Sequence, residues 1–342
     1  LRDELLSPST NPTLAEKLPR YGFVRKATRR FMPGEELDDA LREAEVLNGQ
    51  GITSTTTLLG ENLRSLEEAD GVVEHYLGAL REIAARGLPT VISVKPTQIG
   101  LDFGLDEARE RLARLAAATE SIVWVDMESS GYVEATLEIF RSVKQSHGNV
   151  GLCLQSYLRR TAADLEALLP LDPDIRLVKG AYNEPATVAF PDKADVDRSF
   201  VTLTQTLLRA RLGGGAGKPV IATHDPKMIG ETNRIAFELG VAKADYEFSM
   251  LYGIQRDEQA RLARQGYGMR VLVSYGAAWF PWYMRRLAER PANLWFVAKQ
   301  LVGSAPGRKG SAPRKPRWTT IRPAGWRWRW SPPRCSSPCR RG

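Results

Sequence analysis

Cysteine is scarce in this chain of 342 residues: only Cys153 lies before residue 304, so there is no disulfide framework and the compartment reads as reducing. Histidine is equally sparse. His75, His147 and His224 are scattered, and Cys335-Ser-Ser-Pro-Cys339 has no second Cys/His pair nearby, so no metal site is expected. No apolar run approaches the roughly 18–20 residues of a membrane span, and the start at Leu1-Arg2-Asp3-Glu4 lacks a signal peptide's apolar stretch. A soluble or peripheral chain is expected. Glycine fingerprints for nucleotides are missing as well, since no G-x-G-x-x-G follows an early strand. The run Gly213-Gly214-Gly215-Ala216-Gly217-Lys218 fails as a P-loop: Leu212 stands where the first glycine belongs and Pro219 replaces the Mg²⁺-binding Ser or Thr. It precedes a strand and reads as a flexible αβ loop.

Acidic residues are absent from 304–342, which hold eleven Lys or Arg, seven of the 21 prolines and four of the eight tryptophans. The formal net charge of +8 therefore belongs to this tail, while residues 1–303 carry 37 basic and 40 acidic side chains, a net of −3. That excludes a nucleic-acid-binding reading of the body. The tail is expected to be disordered. Its Trp326-Arg327-Trp328-Arg329-Trp330 run suits an anionic bilayer surface, whereas its lack of apolar periodicity suits out-of-frame translation.

The body is 1–50, read as a helical segment broken at Pro19 and Pro33-Gly34, followed by a catalytic unit over 51–303. With 43% hydrophobic residues, the chain can bury a sizeable core. From Ile52 onward, eight short apolar runs alternate with segments of helical period. They are 52–59, 90–94, 122–125, 150–154, 175–178, 220–223, 246–251 and 270–274. The runs are nearly continuous, as strands buried on both faces should be, so a (β/α)8 TIM-like barrel is expected, with an open doubly wound sheet as the alternative.

In such barrels chemistry gathers where strands end. Here the runs end in Glu61, Lys95, Asp126 with Glu128, Gln155, Lys179 after Arg176, His224 with Asp225, Leu251-Tyr252-Gly253, and Tyr275. Arg176 lies inside its run, where a long cation needs an anionic or π-rich partner. Asp126 can hold Lys95, hold a cofactor edge or cap the next helix. His224 reads equally as a ligand contact, a satisfied core histidine or a helix cap.

Residues 280–290 start like a helix with Pro281 in its first turn, and place Trp282, Arg285, Arg286 and Glu289 on one face. That face is either simply solvated or a cationic clamp in which two guanidinium groups grip one carboxylate. Lys95 would be a third cation, and Glu61 an acid that neutralises one of the three when the site is empty. Strand-end lysines also serve as Schiff-base nucleophiles, which would make Lys95 or Lys179 the centre of an aldolase-type enzyme.

The motifs Arg176-Leu177-Val178-Lys179-Gly180-Ala181-Tyr182, Ala222-Thr223-His224-Asp225 and Tyr275-Gly276 through Trp282-Tyr283-Met284-Arg285-Arg286-Leu287-Ala288-Glu289-Arg290-Pro291-Ala292-Asn293 resemble the proline dehydrogenase family, in its bacterial monofunctional form. Val94-Lys95-Pro96-Thr97 and Val125-Asp126-Met127-Glu128 fit the same pattern, and the likeness spans roughly residues 14–301. The resemblance implies a distorted barrel with N-terminal helices and a C-terminal helix over its mouth. It also implies non-covalent FAD and oxidation of L-proline to Δ1-pyrroline-5-carboxylate by hydride transfer from C5 to flavin N5.

By the same resemblance, the carboxylate clamp falls on Lys95, Arg285 and Arg286, and a closing ion pair on Glu61 with Arg285. Substrate-shaping residues fall on Asp126, Tyr182, Leu251 and Tyr275, and an aromatic wall on either Trp282 or Tyr283. Flavin contacts fall on Gln155, Arg176, Ala181, Lys193, Thr223 and His224, with Arg176 stabilising negative charge on the ring. Electrons would pass to a membrane quinone, which places a cytoplasmic enzyme at the inner face of the membrane. Pyrroline-5-carboxylate dehydrogenase would be a transient partner.

Overall fold

Strands that are apolar on both faces need cover on both, and parallel pairing around a closed ring with helices outside provides it. The computed structural model describes residues 28–60 and 63–279. Strands β1 (Thr53–Leu58), β2 (Thr90–Val94), β3 (Val123–Val125), β4 (Val150–Gln155), β5 (Asp174–Val178), β6 (Val220–Ala222), β7 (Glu247–Leu251) and β8 (Gly268–Tyr275) pair in that order, all parallel. The ring closes through β8 and β1, from Thr53 beside Arg270 to Leu58 beside Tyr275. All eight expected strands are present, with ends displaced by no more than two residues.

Helix α1 (Leu37–Asn48) precedes β1. The others are α2 (Leu66–Ala85), α3 (Leu105–Ala117), α4 (Val133–Ser146), α5 (Thr161–Leu168), α6 (Lys193–Leu212), α7 (Pro226–Leu239) and α8 (Arg256–Arg264). Helix α1 begins just beyond the Pro33-Gly34 break, where Glu36 and Asp39 form a reciprocal capping box. Its buried stripe of Ala40, Leu41, Ala44 and Leu47 packs on β1 and β8. In a regular eightfold barrel the helix after β8 covers that seam; here α1 packs against it. The helix expected over the mouth, and the helical reading before residue 28, lie outside the described residues.

Side chains sort by parity. Ile92, Val94, Val123, Val125, Leu152 and Leu154 join the main core beneath the helices. Val91, Trp124 and Val220 form a separate cluster on the inner face of the ring, packed with Ile122. Gly151 makes room for this plug, since a Cβ there would come within 2.8 Å of the Ile122 and Trp124 side chains.

Polar groups close both ends of the ring. At the mouth, the fully buried Tyr76 of α2 inserts its hydroxyl between β1 and β2, accepting from Leu58 N at 3.0 Å and donating to Ser93 O at 3.0 Å. It replaces a rung of the ladder. Where the strands begin, the Arg270 guanidinium pairs with Glu247 at 2.5 Å and donates to Ser54 O at 3.0 Å. Glu247 is buried, so removal of its partner would strand a charge. Arg270→Met should cost about 3–5 kcal/mol in urea unfolding, and Arg270→Met with Glu247→Leu should recover most of that. A single-variant cost below about 1 kcal/mol would contradict the assignment.

Candidate functional site

A cavity of about 570 Å³ opens at the C-terminal ends of β3 to β8, within the range of ligand pockets. β3 contributes Asp126, β4 Cys153 and Gln155, and β5 Arg176. The turn after β5 brings Ala181 and Tyr182, and α6 brings Lys193 at its start. Thr223, His224 and Asp225 follow β6, with Ser249 and Leu251 on β7. Of the strand-end residues expected from β3 to β7, Asp126, Gln155, Arg176, Lys179, His224, Asp225 and Leu251 converge on one space, whereas Glu128, Tyr252 and Gly253 do not line it.

Its floor is a buried charge network. Arg176 is only 5% exposed, yet its guanidinium meets both kinds of partner that a buried cation needs. Nη2 pairs with Asp126 Oδ1 and donates to Ser93 Oγ at 3.0 Å, while the guanidinium lies over Trp124, 5.1 Å from the ring centroid. Ser93 in turn donates to Asp126 Oδ1 at 2.9 Å, closing a triangle. Asp126 is thus neither a helix cap nor a tether for Lys95. Burial pushes the Cys153 thiol up, against the opposing pull of Arg176, so it stays a thiol rather than a nucleophilic thiolate.

Two acids and two lysines hold the loops that wall the cavity. Lys179 Nζ lies 2.5 Å from Asp197 Oδ1 and 2.8 Å from Asp225 Oδ2. Lys193 reaches the same two carboxylates at 2.6 and 3.5 Å. Desolvation pushes Asp197 and Asp225 up, but the hydrogen bonds from the lysines outweigh it and hold both below the usual carboxylate range. Asp225 also caps α7, accepting from Lys227 N at 3.0 Å ahead of Pro226. Held between Asp197 and Asp225, the Lys179 Nζ is engaged in fastening the two loops to each other.

Two further groups have defined roles. His224 Nε2 accepts the Leu251 N–H at 2.9 Å, which fixes the tautomer with hydrogen on Nδ1 and ties β6 to β7. Gln155, 3% exposed, donates from Nε2 to Met127 O at 3.3 Å, but its buried Oε1 accepts no hydrogen bond among the described residues. That acceptor lies in the cavity wall. Gly180, at φ +113°, allows the turn after β5 to press on Tyr157, where a Cβ would come within 2.2 Å of the ring.

Lys95 and Tyr275 lie outside this group. Lys95 begins a 3-10 turn (Pro96–Ile99) and forms no ion pair with any described residue. Buried Glu128 accepts from Thr97 N at 3.0 Å and Thr97 Oγ1 at 2.8 Å, which fixes that turn. Burial raises the Glu128 carboxyl, while the Thr97 bonds and Lys95 oppose the shift. Tyr275, fully buried, sends its hydroxyl to within 2.7 Å of His75 Nε2 on α2 and is not among the cavity walls. Glu61, Trp282, Tyr283, Arg285, Arg286 and Glu289 lie outside the described residues.

Sequence reasoning missed Ser93, Trp124 and Asp197. For Ser93 a signal existed, because two residues before Lys95 on a strand means the same face. Asp197 sits four residues after Lys193 on α6, the spacing of a helical ion pair.

The sequence model of the family described as Proline dehydrogenase matches residues 40–299. Proline dehydrogenase 1 of Bacillus subtilis (strain 168) is 39% identical over 305 residues, covering 88% of this chain and 99% of that protein. Proline dehydrogenase of Deinococcus radiodurans is 37% identical over 310 residues, covering 88% and 97%. Among solved structures, proline utilization A from Bdellovibrio bacteriovorus, inactivated by N-propargylglycine, superposes with a TM-score of 0.74 at 24% identity. That match covers 89% of this chain and 38% of that one, and it supports the barrel fold. The chain belongs to the proline dehydrogenase family, of the bacterial monofunctional type.

Proposed function

We propose that this proline dehydrogenase oxidises L-proline to Δ1-pyrroline-5-carboxylate with FAD held non-covalently in the cavity at the ends of β3 to β8. A membrane quinone takes the electrons at the inner face of the cell membrane, and pyrroline-5-carboxylate dehydrogenase meets the product. The observation that carries the reading is Arg176, a buried cation fixed at the floor of a ligand-sized cavity in a chain of this family.

The donor set suits a flavin. Gln155 Oε1 is a buried acceptor awaiting an N–H, and the Arg176 guanidinium is a rigid source of positive potential for a ring that gains electrons. Lys193, whose side chain is 73% exposed, stands at the rim where it can turn to a phosphate while Asp197 retains Lys179. Gln155, Arg176, Ala181, Lys193, Thr223 and His224 would hold the cofactor, which supplies a two-electron acceptor when bound. Asp126 keeps Arg176 aimed and Leu251 with Tyr182 limits the space beside it.

Oxidation of a small cyclic amino acid is chiefly a positioning problem. Arg285, Arg286 and Lys95 would fix the carboxylate, and Glu61 would neutralise Arg285 between turnovers. No helix among the described residues is long and apolar enough to cross a membrane.

Arg285→Met should raise the KM for L-proline roughly ten- to hundredfold, since a hydrogen bond to a charged group contributes on the order of 1.5–3 kcal/mol. Steady-state kinetics with an artificial acceptor measures this, and an unchanged KM would remove Arg285 from the clamp. Borohydride added with a carbonyl substrate should leave Lys179 and Lys95 unmodified in peptide mass maps. A reduced adduct on either lysine would instead favour the Schiff-base reading.

A further inference from the structure

Ser93 belongs to the middle of the barrel wall, on the inner face of β2, with no solvent exposure and no place among the cavity-lining residues. Its hydroxyl nevertheless makes two hydrogen bonds, both to groups that line the cavity. It accepts from Arg176 Nη2 at 3.0 Å and donates to Asp126 Oδ1 at 2.9 Å, the same oxygen that pairs with Nη2. The backbone that carries it is also pinned, because Tyr76 donates to Ser93 O at 3.0 Å. A hydroxyl so placed has one orientation that satisfies every neighbour: hydrogen toward the carboxylate, lone pair toward the guanidinium.

This geometry has an electrostatic consequence. Asp126 neutralises Arg176, so the positive potential at the cavity floor is the difference between the two charges. By donating to Oδ1, Ser93 draws carboxylate charge away from the guanidinium. By accepting from Nη2, it fixes that nitrogen between β2 and the Asp126 carboxylate, with the Cys153 thiol also interacting with the guanidinium. In a low-dielectric interior both effects are larger than they would be in water.

We propose that Ser93 is a positioning residue that sets the reduction potential of the bound flavin through Arg176 and Asp126. The inference rests on the reading of the cavity as the flavin site. Without the hydroxyl, Asp126 holds Arg176 more fully, the cavity loses positive potential and the two-electron reduction of the ring becomes harder. The sign is fixed by the geometry: removing Ser93 Oγ moves the potential in the negative direction.

The test is the midpoint potential of the purified, flavin-loaded protein, read by equilibration with a reference dye, for the parent, Ser93→Ala and Ser93→Thr. Ser93→Ala should retain its flavin and show at least a tenfold fall in the equilibrium constant for reduction, a shift of about 30 mV to the negative. Ser93→Thr, which keeps the hydroxyl, should stay closer to the parent. If Ser93→Ala does not fold, Ser93→Cys retains a weak donor in similar volume and should shift in the same direction by less. A parent-like potential in the folded Ala variant, or in the Cys variant if only that one folds, overturns the proposal, as does a positive shift. A parent protein that carries no flavin defeats the reading of the cavity itself, an outcome visible before any variant is made.

Discussion

A guanidinium buried inside a closed barrel is the constraint around which the rest is arranged. Arg176 projects inward from the middle of β5, and withdrawing such an ion from water costs several kcal/mol unless its partners are fixed in advance. Those partners come from three neighbouring strands: Ser93 on β2, Trp124 on β3 and Asp126 just beyond it, with Cys153 of β4 alongside. The register of β2 to β5 therefore serves the site directly. A one-residue slip in any of these strands would turn its contribution out toward the helices and leave the cation unsatisfied.

The same economy appears at the rim. Asp197 and Asp225, on successive helices, share Lys179 and Lys193, so the turn after β5 and the turn after β6 are fastened to each other. His224 fastens β6 to β7 through the Leu251 amide. These links act at the edges of adjacent strands and tie together the cavity walls from β5 to β7. The four-charge cluster also explains why Lys179 is structural despite standing at a strand end, where a nucleophile would be plausible by position alone.

The barrel was legible because buried parallel strands leave continuous apolar runs, and eight of them at regular intervals admit few other folds. The mouth was legible for the same reason: Asp126, Gln155, His224 and Leu251 fall at or near strand ends, and the structure brings them to one cavity with Arg176 from the middle of β5. Partnership was less legible. Arg176 demanded an anion or a π face, and nothing in local spacing revealed that the protein supplies both from Asp126 and Trp124, 50 and 52 residues earlier in the sequence. Tyr275 shows the converse. A strand-end tyrosine followed by glycine marks the end of β8, but only the parity of the folded strand sends its hydroxyl outward to His75 of α2.

The central claim is that the cavity floored by Arg176 holds a flavin that L-proline reduces. Anaerobic titration of the purified protein with L-proline, followed by visible absorbance, tests it most directly. The account predicts a yellow protein whose flavin band bleaches on addition of L-proline; a protein without flavin absorbance, or one whose bound flavin is unchanged by saturating L-proline, would contradict it.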